Sequence, residues 1–132
     1  MSQENVEIVL RGVAAMNRGD PEAFAAVCGA RFEMHLVGAV GEPVSYVGAD
    51  GVAQFFRDMD EIWADWGFEV DEVRDLGQHV LLTGRQRGRG RVSSIEVDTP
   101  RGCVIAVRDG AVTELRYFIE PAEALEAVGL SE

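Results

Sequence analysis

The chain contains no lysine; all twelve of its basic residues are arginine. Schiff-base chemistry and Walker-type phosphate loops both need the lysine amine, so both are excluded. Cysteine is nearly as scarce. Cys28 and Cys103 stand alone and far apart, which leaves neither a disulfide framework nor a cysteine-built zinc site, and reads as two free thiols suited to a reducing compartment. The two histidines, His35 and His79, have no cysteine or carboxylate partners at metal-ligand spacing. Basic residues are outweighed by 23 acidic ones, for a formal net charge of −11. A general nucleic-acid or anionic-membrane partner would reward the opposite field. No uncharged run approaches the ~20 residues of a membrane span, and the first ten residues carry Glu4 and Glu7 without a basic leader pattern. The expectation is a soluble, cytoplasmic protein. Nucleophile elbows and dinucleotide fingerprints are also missing, and no metal or cofactor is expected.

What is present suffices for one domain spanning residues 1–132, because 47% of the residues are hydrophobic and chains of this length can bury a core. Val6, Val9, Leu10, Val13 and Met16 form one helical stripe that could start at a Ser2 cap. Asp20 before Pro21 then opens a second helix, with Phe24, Val27 and Cys28 on its apolar face, closing at Gly29. Arg31 to Val37 alternates Phe32, Met34 and Leu36 against Glu33, His35 and Val37, which predicts a strand with His35 on its less apolar side. A Gly- and Pro-containing loop covers Gly38 to Ser45, and Tyr46 and Val47 are extended.

The clearest helical pattern runs from Gly48 to Gly67, with Val52, Phe55, Phe56, Met59, Trp63 and Trp66 on one stripe. Strands follow at Phe68 to Asp75 and Val80 to Arg91. A return strand from Ile95 to Val107 is interrupted at Pro100, and a last strand covers Val112 to Ile119. Asp109-Gly110 is a hairpin turn, since both residues favour positive φ. Pro121 starts a short terminal helix bearing Ala124, Leu125 and Val128. Helices and strands are segregated along the chain, which predicts an α+β fold.

In its "VAAMNRGDPEAF", "YVGADGVAQFF" and "AVRDGAVTELRYF" segments the chain resembles the nuclear transport factor two-like superfamily, and more narrowly its SnoaL-like, polyketide cyclase-like branch. The resemblance covers nearly the whole chain. It implies a strongly curved, mainly antiparallel sheet wrapped around three helices into a cone with an internal cavity, plus the short C-terminal helix. Often such domains pair across the sheet. A homodimer is expected here through the outer face, where Val80, Leu82, Val104 and Ala106 would otherwise form an exposed apolar patch.

The same resemblance guides the candidate site. The three catalytic positions of ketosteroid isomerase fall on Gly12, His35 and Cys103, so that enzyme's oxyanion hole is absent and His35 alone could act as acid or base. Those of limonene epoxide hydrolase fall on Arg85, Arg87 and Tyr117, one of which is kept, so its water-activating carboxylates are also missing. Arg85, Arg87, Arg89 and Arg91 occupy alternate positions and would share one face of a strand. Arg85 and Arg87 would either floor a cavity with His35 and Tyr117 or pair with Glu96 and Asp98 on the next strand. Cys103 and Trp63 complete the candidate ligand-binding set. Three readings are open: a binder of a small, largely apolar and possibly anionic or enolisable molecule; a cyclase, isomerase or dehydratase using His35; and a dimeric interaction module without a ligand.

Overall fold

A computed structural model of the chain describes residues 2–37 and 44–130. Helix α1 (Ser2–Asn17) and helix α2 (Pro21–Ala26) lead into strand β1 (Cys28–Val37). Strand β2 (Val44–Val47) precedes helix α3 (Gly48–Ile62), and strands β3 (Trp63–Asp75), β4 (His79–Gly90), β5 (Glu96–Arg108) and β6 (Ala111–Phe118) then run to helix α4 (Pro121–Ala127). The expected Gly38–Ser45 loop lies, for residues 38–43, outside the described residues, as does the side chain of Ser2. No helix among the described residues is long and apolar enough to cross a membrane.

The six strands form one sheet in the order β2-β1-β6-β5-β4-β3. All neighbours are antiparallel except β1 and β6, so the expected α+β architecture is observed. Register shifts in β3, in β1 and between Ala106 and Val107 add residues to one strand but not its partner, which bends a sheet. Its concave side packs on α1, α2 and α3. Phe24, Phe32, Phe55 and Phe56 with Trp66 form a chain of edge-to-face rings at 5.6–6.0 Å, a geometry that aligns positive ring edges with negative faces.

Local sequence explains the element boundaries. Asp20 caps α2 by accepting from Ala23 N at 3.0 Å, and Pro21 fills the first turn. Asp109 and Gly110 adopt φ of 52° and 77°, as the hairpin requires. Asn17 at the end of α1 pairs with β3 as a strand would: its amide donates to Phe68 O at 2.9 Å and accepts from Phe68 N at 2.8 Å. That contact covers part of an edge strand.

Three expectations are corrected. Helix α3 stops at Ile62, and Trp63 begins β3 with φ −115° and ψ 135°, so Trp63 and Trp66 belong to the sheet. The register shift between Trp63 and Asp65 inserts one residue, which returns an i, i+3 pair to one strand face and so imitates helical spacing. Strand β5 runs unbroken through Pro100. The pairing with β6 begins only at Gly102, so at Pro100 the strand has a single neighbour and the missing N–H need not interrupt a ladder. Finally, Val80, Leu82, Val104 and Ala106 are all buried within one chain. Val80 and Leu82 face the core inside the sheet, while Val104 joins Leu81, Phe118, Ala124 and Leu125 beneath α4. The single apolar patch invoked for an outer-face dimer therefore does not form: Val80 and Leu82 face inward, and Val104 lies under the terminal helix.

The packing has two testable consequences. A Cβ on Gly84 would lie 2.0 Å from Glu69 O, so Gly84→Ala should lose on the order of 3 kcal/mol in urea unfolding by prising β3 from β4. Gly29, where a Cβ meets only ordinary contacts from 3.7 Å, should accept alanine with no loss; equal costs at both sites would refute the close approach. Tyr46 Oη donates to Asp58 at 2.7 Å, tying β2 to α3 and holding the Asp58 carboxyl below its ordinary value of 3.8. A carboxyl depressed by folding binds fewer protons in the native state, so its contribution is present above pH 3.8 and lost as pH falls through the native value. Tyr46→Phe should therefore flatten the acid limb of the stability profile below about pH 4, measured by thermal melts across pH.

Candidate functional site

Inside the curve of the sheet lies a cavity of about 180 Å³. Its walls come from α1 (Val9, Gly12, Val13, Met16), α2 and the residues after it (Phe24, Val27, Cys28), α3 (Phe55, Met59) and the inward positions of the strands. Alternation along each strand selects those positions: Met34 and Leu36 from β1, Leu82 and Gln86 from β4, Cys103 and Ile105 from β5, Leu115 and Tyr117 from β6. Trp63, Trp66, Gly67 and Phe68 of β3 close the side. Among the described residues no charged side chain lines it.

One polar pair stands out in this lining. Tyr117 Oη donates to Gln86 Oε1, and the Tyr117 ring meets Phe68 edge to face at 6.4 Å. Gln86 on β4 and Tyr117 on β6 are separated by β5, so the pair meets across the inward face of the intervening strand rather than within one register. Burial first, and the neighbouring Cys103 second, push the Tyr117 hydroxyl well above the ordinary phenol range, with Arg101 offsetting part of the effect. Cys28 and Cys103 are both pushed up to about 12 by burial. All three groups remain protonated and neutral near pH 7.

The sequence-predicted site residues separate into two groups. Tyr117, Cys103 and Trp63 line the cavity, together with Gly12. Arg85, Arg87 and His35 do not. Arg85 Nε reaches Asp98 at 2.5 Å, Arg87 lies 3.3 Å from Glu69 and 3.7 Å from Asp98, and Arg89 lies 3.0 Å from Asp65. These are exposed cross-strand ion pairs on the outer face. A guanidinium turned inward would exchange water and a carboxylate for hydrocarbon, at a cost of several kcal/mol. His35 is likewise outward: Nδ1 is 2.8 Å from Ser45 Oγ, and Nε2 is 3.1 Å from Glu33 and 3.7 Å from Glu114. Its neighbours Met34 and Leu36 take the inward positions. The expected convergence of His35, Arg85, Arg87 and Tyr117 does not form.

The residue that sequence reasoning missed is Gln86, between two arginines. A signal existed, because Val80 and Leu82 share its parity and are core residues. Leu81, equally apolar, obscured it by packing under α4 on the opposite face. Among the described residues no group of His, Cys, Asp and Glu could hold a metal ion.

The SnoaL-like domain model matches residues 9–115. The chain belongs to the SnoaL-like family. An NTF2-like protein of Burkholderia xenovorans LB400 is 28% identical, with a TM-score of 0.77 over 95% of each chain. One from Burkholderia thailandensis E264 is 25% identical, with a TM-score of 0.78 over 92% of this chain and 95% of that one. A Jannaschia sp. CCS1 protein described as a SnoaL-like polyketide cyclase shares 22% identity over 88% of this chain and 85% of its own, at a TM-score of 0.76. No functionally curated protein matches the sequence.

In this SnoaL-like domain the thiols are the testable part of the electrostatics. Thiolate is the reactive form, so both cysteines should resist a thiol reagent at about pH 7.5 while the chain is folded and titrate fully in guanidinium. Rapid native modification of Cys103, followed by absorbance, would contradict its burial.

Proposed function

We propose that the protein binds one small, neutral, largely apolar molecule in the cavity enclosed by its sheet and helices. The observation that carries this reading is the lining itself: among the described residues it offers hydrocarbon and aromatic surface, one uncharged polar pair, and no ionised side chain. A dry cavity of ~150 Å³ is enough for a benzene-sized ligand, so the volume suits a compact molecule. An apolar pocket with few convergent polar groups is the general form of a small-molecule site.

The ligand is neutral rather than anionic on this reading. The arginines expected to hold a carboxylate or enolate are paired outside, and an unpaired anion among hydrocarbon would lose its hydration without compensation. Acid/base catalysis through His35 gains no support either, because the imidazole is separated from the cavity by the strand that carries it. With the phenol and both thiols held protonated, binding is favoured over proton transfer.

Both tryptophans of the chain, Trp63 and Trp66, line the cavity, which supplies a direct readout. Titration with ethylbenzene should shift tryptophan emission saturably. Val13→Phe, which fills part of the cavity, should weaken the affinity by about tenfold or more, a loss of ~1.4 kcal/mol. Arg85→Ala should leave it unchanged. Absence of a saturable shift, or an affinity indifferent to Val13→Phe, would rule the cavity out as the binding site.

A further inference from the structure

If the cavity is the binding site, the hydrogen-bonding capacity left over at its polar pair specifies more about the ligand than the cavity's size does. Tyr117 Oη spends its single proton on Gln86 Oε1. A phenol oxygen that donates retains lone pairs, and a carboxamide whose oxygen accepts retains two N–H donors. Among the described residues the Gln86 amide nitrogen donates to no protein acceptor, and the protein donor beside the Tyr117 oxygen is the Arg101 guanidinium. Among the described residues the lining supplies no other side-chain amide or hydroxyl, because its remaining walls are aliphatic, thioether, aromatic or thiol. Arg101, which lowers the Tyr117 phenol by its charge and by a side-chain hydrogen bond, also donates to Pro100 O at 2.8 Å and Ile119 O at 3.4 Å; it is not part of the lining, and a phenol lone pair is left for a ligand.

We propose that Gln86 and Tyr117 act together as a donor–acceptor clamp, the Gln86 N–H donating to a carbonyl oxygen of the ligand and the Tyr117 oxygen accepting from an adjacent N–H or O–H. The ligand class is thus a compact apolar ring or chain bearing one neutral group with a donor beside an acceptor, of the carboxamide or hydroxycarbonyl type. A group offering only an acceptor would leave that Tyr117 lone pair unmatched, and a group offering only a donor would leave the Gln86 amide unmatched. Buried polar groups without partners cost free energy, so the clamp discriminates by omission as much as by contact. A carboxylate fails on two counts: it has no proton for Tyr117, and no cation is among the described residues that line the cavity. The hydrogen bond within the pair holds both groups in register, which restricts the orientation in which a ligand can satisfy them.

The test compares matched probes on the intact protein by calorimetry, with tryptophan emission as a second readout. Benzamide carries both functions, acetophenone the acceptor alone, benzoate the charge, and ethylbenzene neither. Gln86→Leu and Tyr117→Phe each remove one half of the clamp while keeping most of the volume. Each should weaken benzamide by about fivefold, the worth of one hydrogen bond, and leave ethylbenzene unchanged or tighter, which also shows that the variant's cavity is intact. Acetophenone should respond to Gln86→Leu and not to Tyr117→Phe, and benzoate should bind weakly to all forms. Equal changes for benzamide and ethylbenzene, or no change for either, would overturn the clamp while leaving the cavity reading in place. Failure of every probe, ethylbenzene included, to bind the unaltered protein would overturn both.

Discussion

The strict alternation of side chains along β4, with one face of that strand pressed against helices, decides more of this molecule than any single bond. Once Val80 and Leu82 are buried in the main core, Gly84 and Gln86 must face the same way, and Arg85, Arg87 and Arg89 must face out. A shift by one residue would place three guanidiniums among phenylalanines and expose the core residues. No rearrangement of partners inside the cone could compensate that. The partners available on the outer face, Glu69, Asp65 and Asp98, come from strands on either side, so the ion pairs follow from the register rather than set it. Exposed pairs of this kind contribute little stability individually, but they satisfy charges that the core cannot accept.

The same constraint shapes the cavity's chemistry. Each strand contributes its inward residues in turn, and most of those residues are the ones that pack: leucine, isoleucine, methionine, phenylalanine. Gln86 and Tyr117 are exceptions that satisfy each other, which is how polar groups persist in such surroundings. The two thiols persist by staying protonated. A cavity built this way can discriminate by shape and by one hydrogen-bonded group, whereas proton transfer would need an ionisable group with a partner to adjust it. In this SnoaL-like domain the histidine and arginines expected to serve the cavity lie on the sheet's outer side. His35 illustrates the separation, since it stands between Glu33 and Glu114 across the thickness of one strand from Met34 and Leu36.

The outer face is divided. Beneath α4 it is apolar, with Leu81, Val104 and Phe118 packed against Ala124 and Leu125. Beyond α4 it is a field of paired charges. Gly102 sits where the helix comes closest: a Cβ there would lie 2.8 Å from that of Ala124, so this glycine provides the clearance on which the docking of α4 depends. The terminal helix thereby covers Val104 and its neighbours.

By itself, the sequence determined the elements that rest on local chemistry. Asp20-Pro21 starts a helix, Asp109-Gly110 turns a hairpin, and the alternation of Phe32, Met34 and Leu36 makes a strand, because each outcome depends on a few adjacent residues. The segregated order of helices and strands was enough for the α+β class, and three segments were enough for the family. What the tertiary structure decided was everything that depends on which face a strand presents and where its register slips. The inserted residue near Ala64 put Trp63 and Trp66 on one side of a strand when their spacing suggested a helix. Leu81 and Leu82, identical in type, were assigned to different cores only when α4 settled on the sheet. The arginine ladder in β4 was legible as a ladder, and its facing was not, because facing is fixed by the burial of Val80 and Leu82 against helices contributed from the other end of the chain.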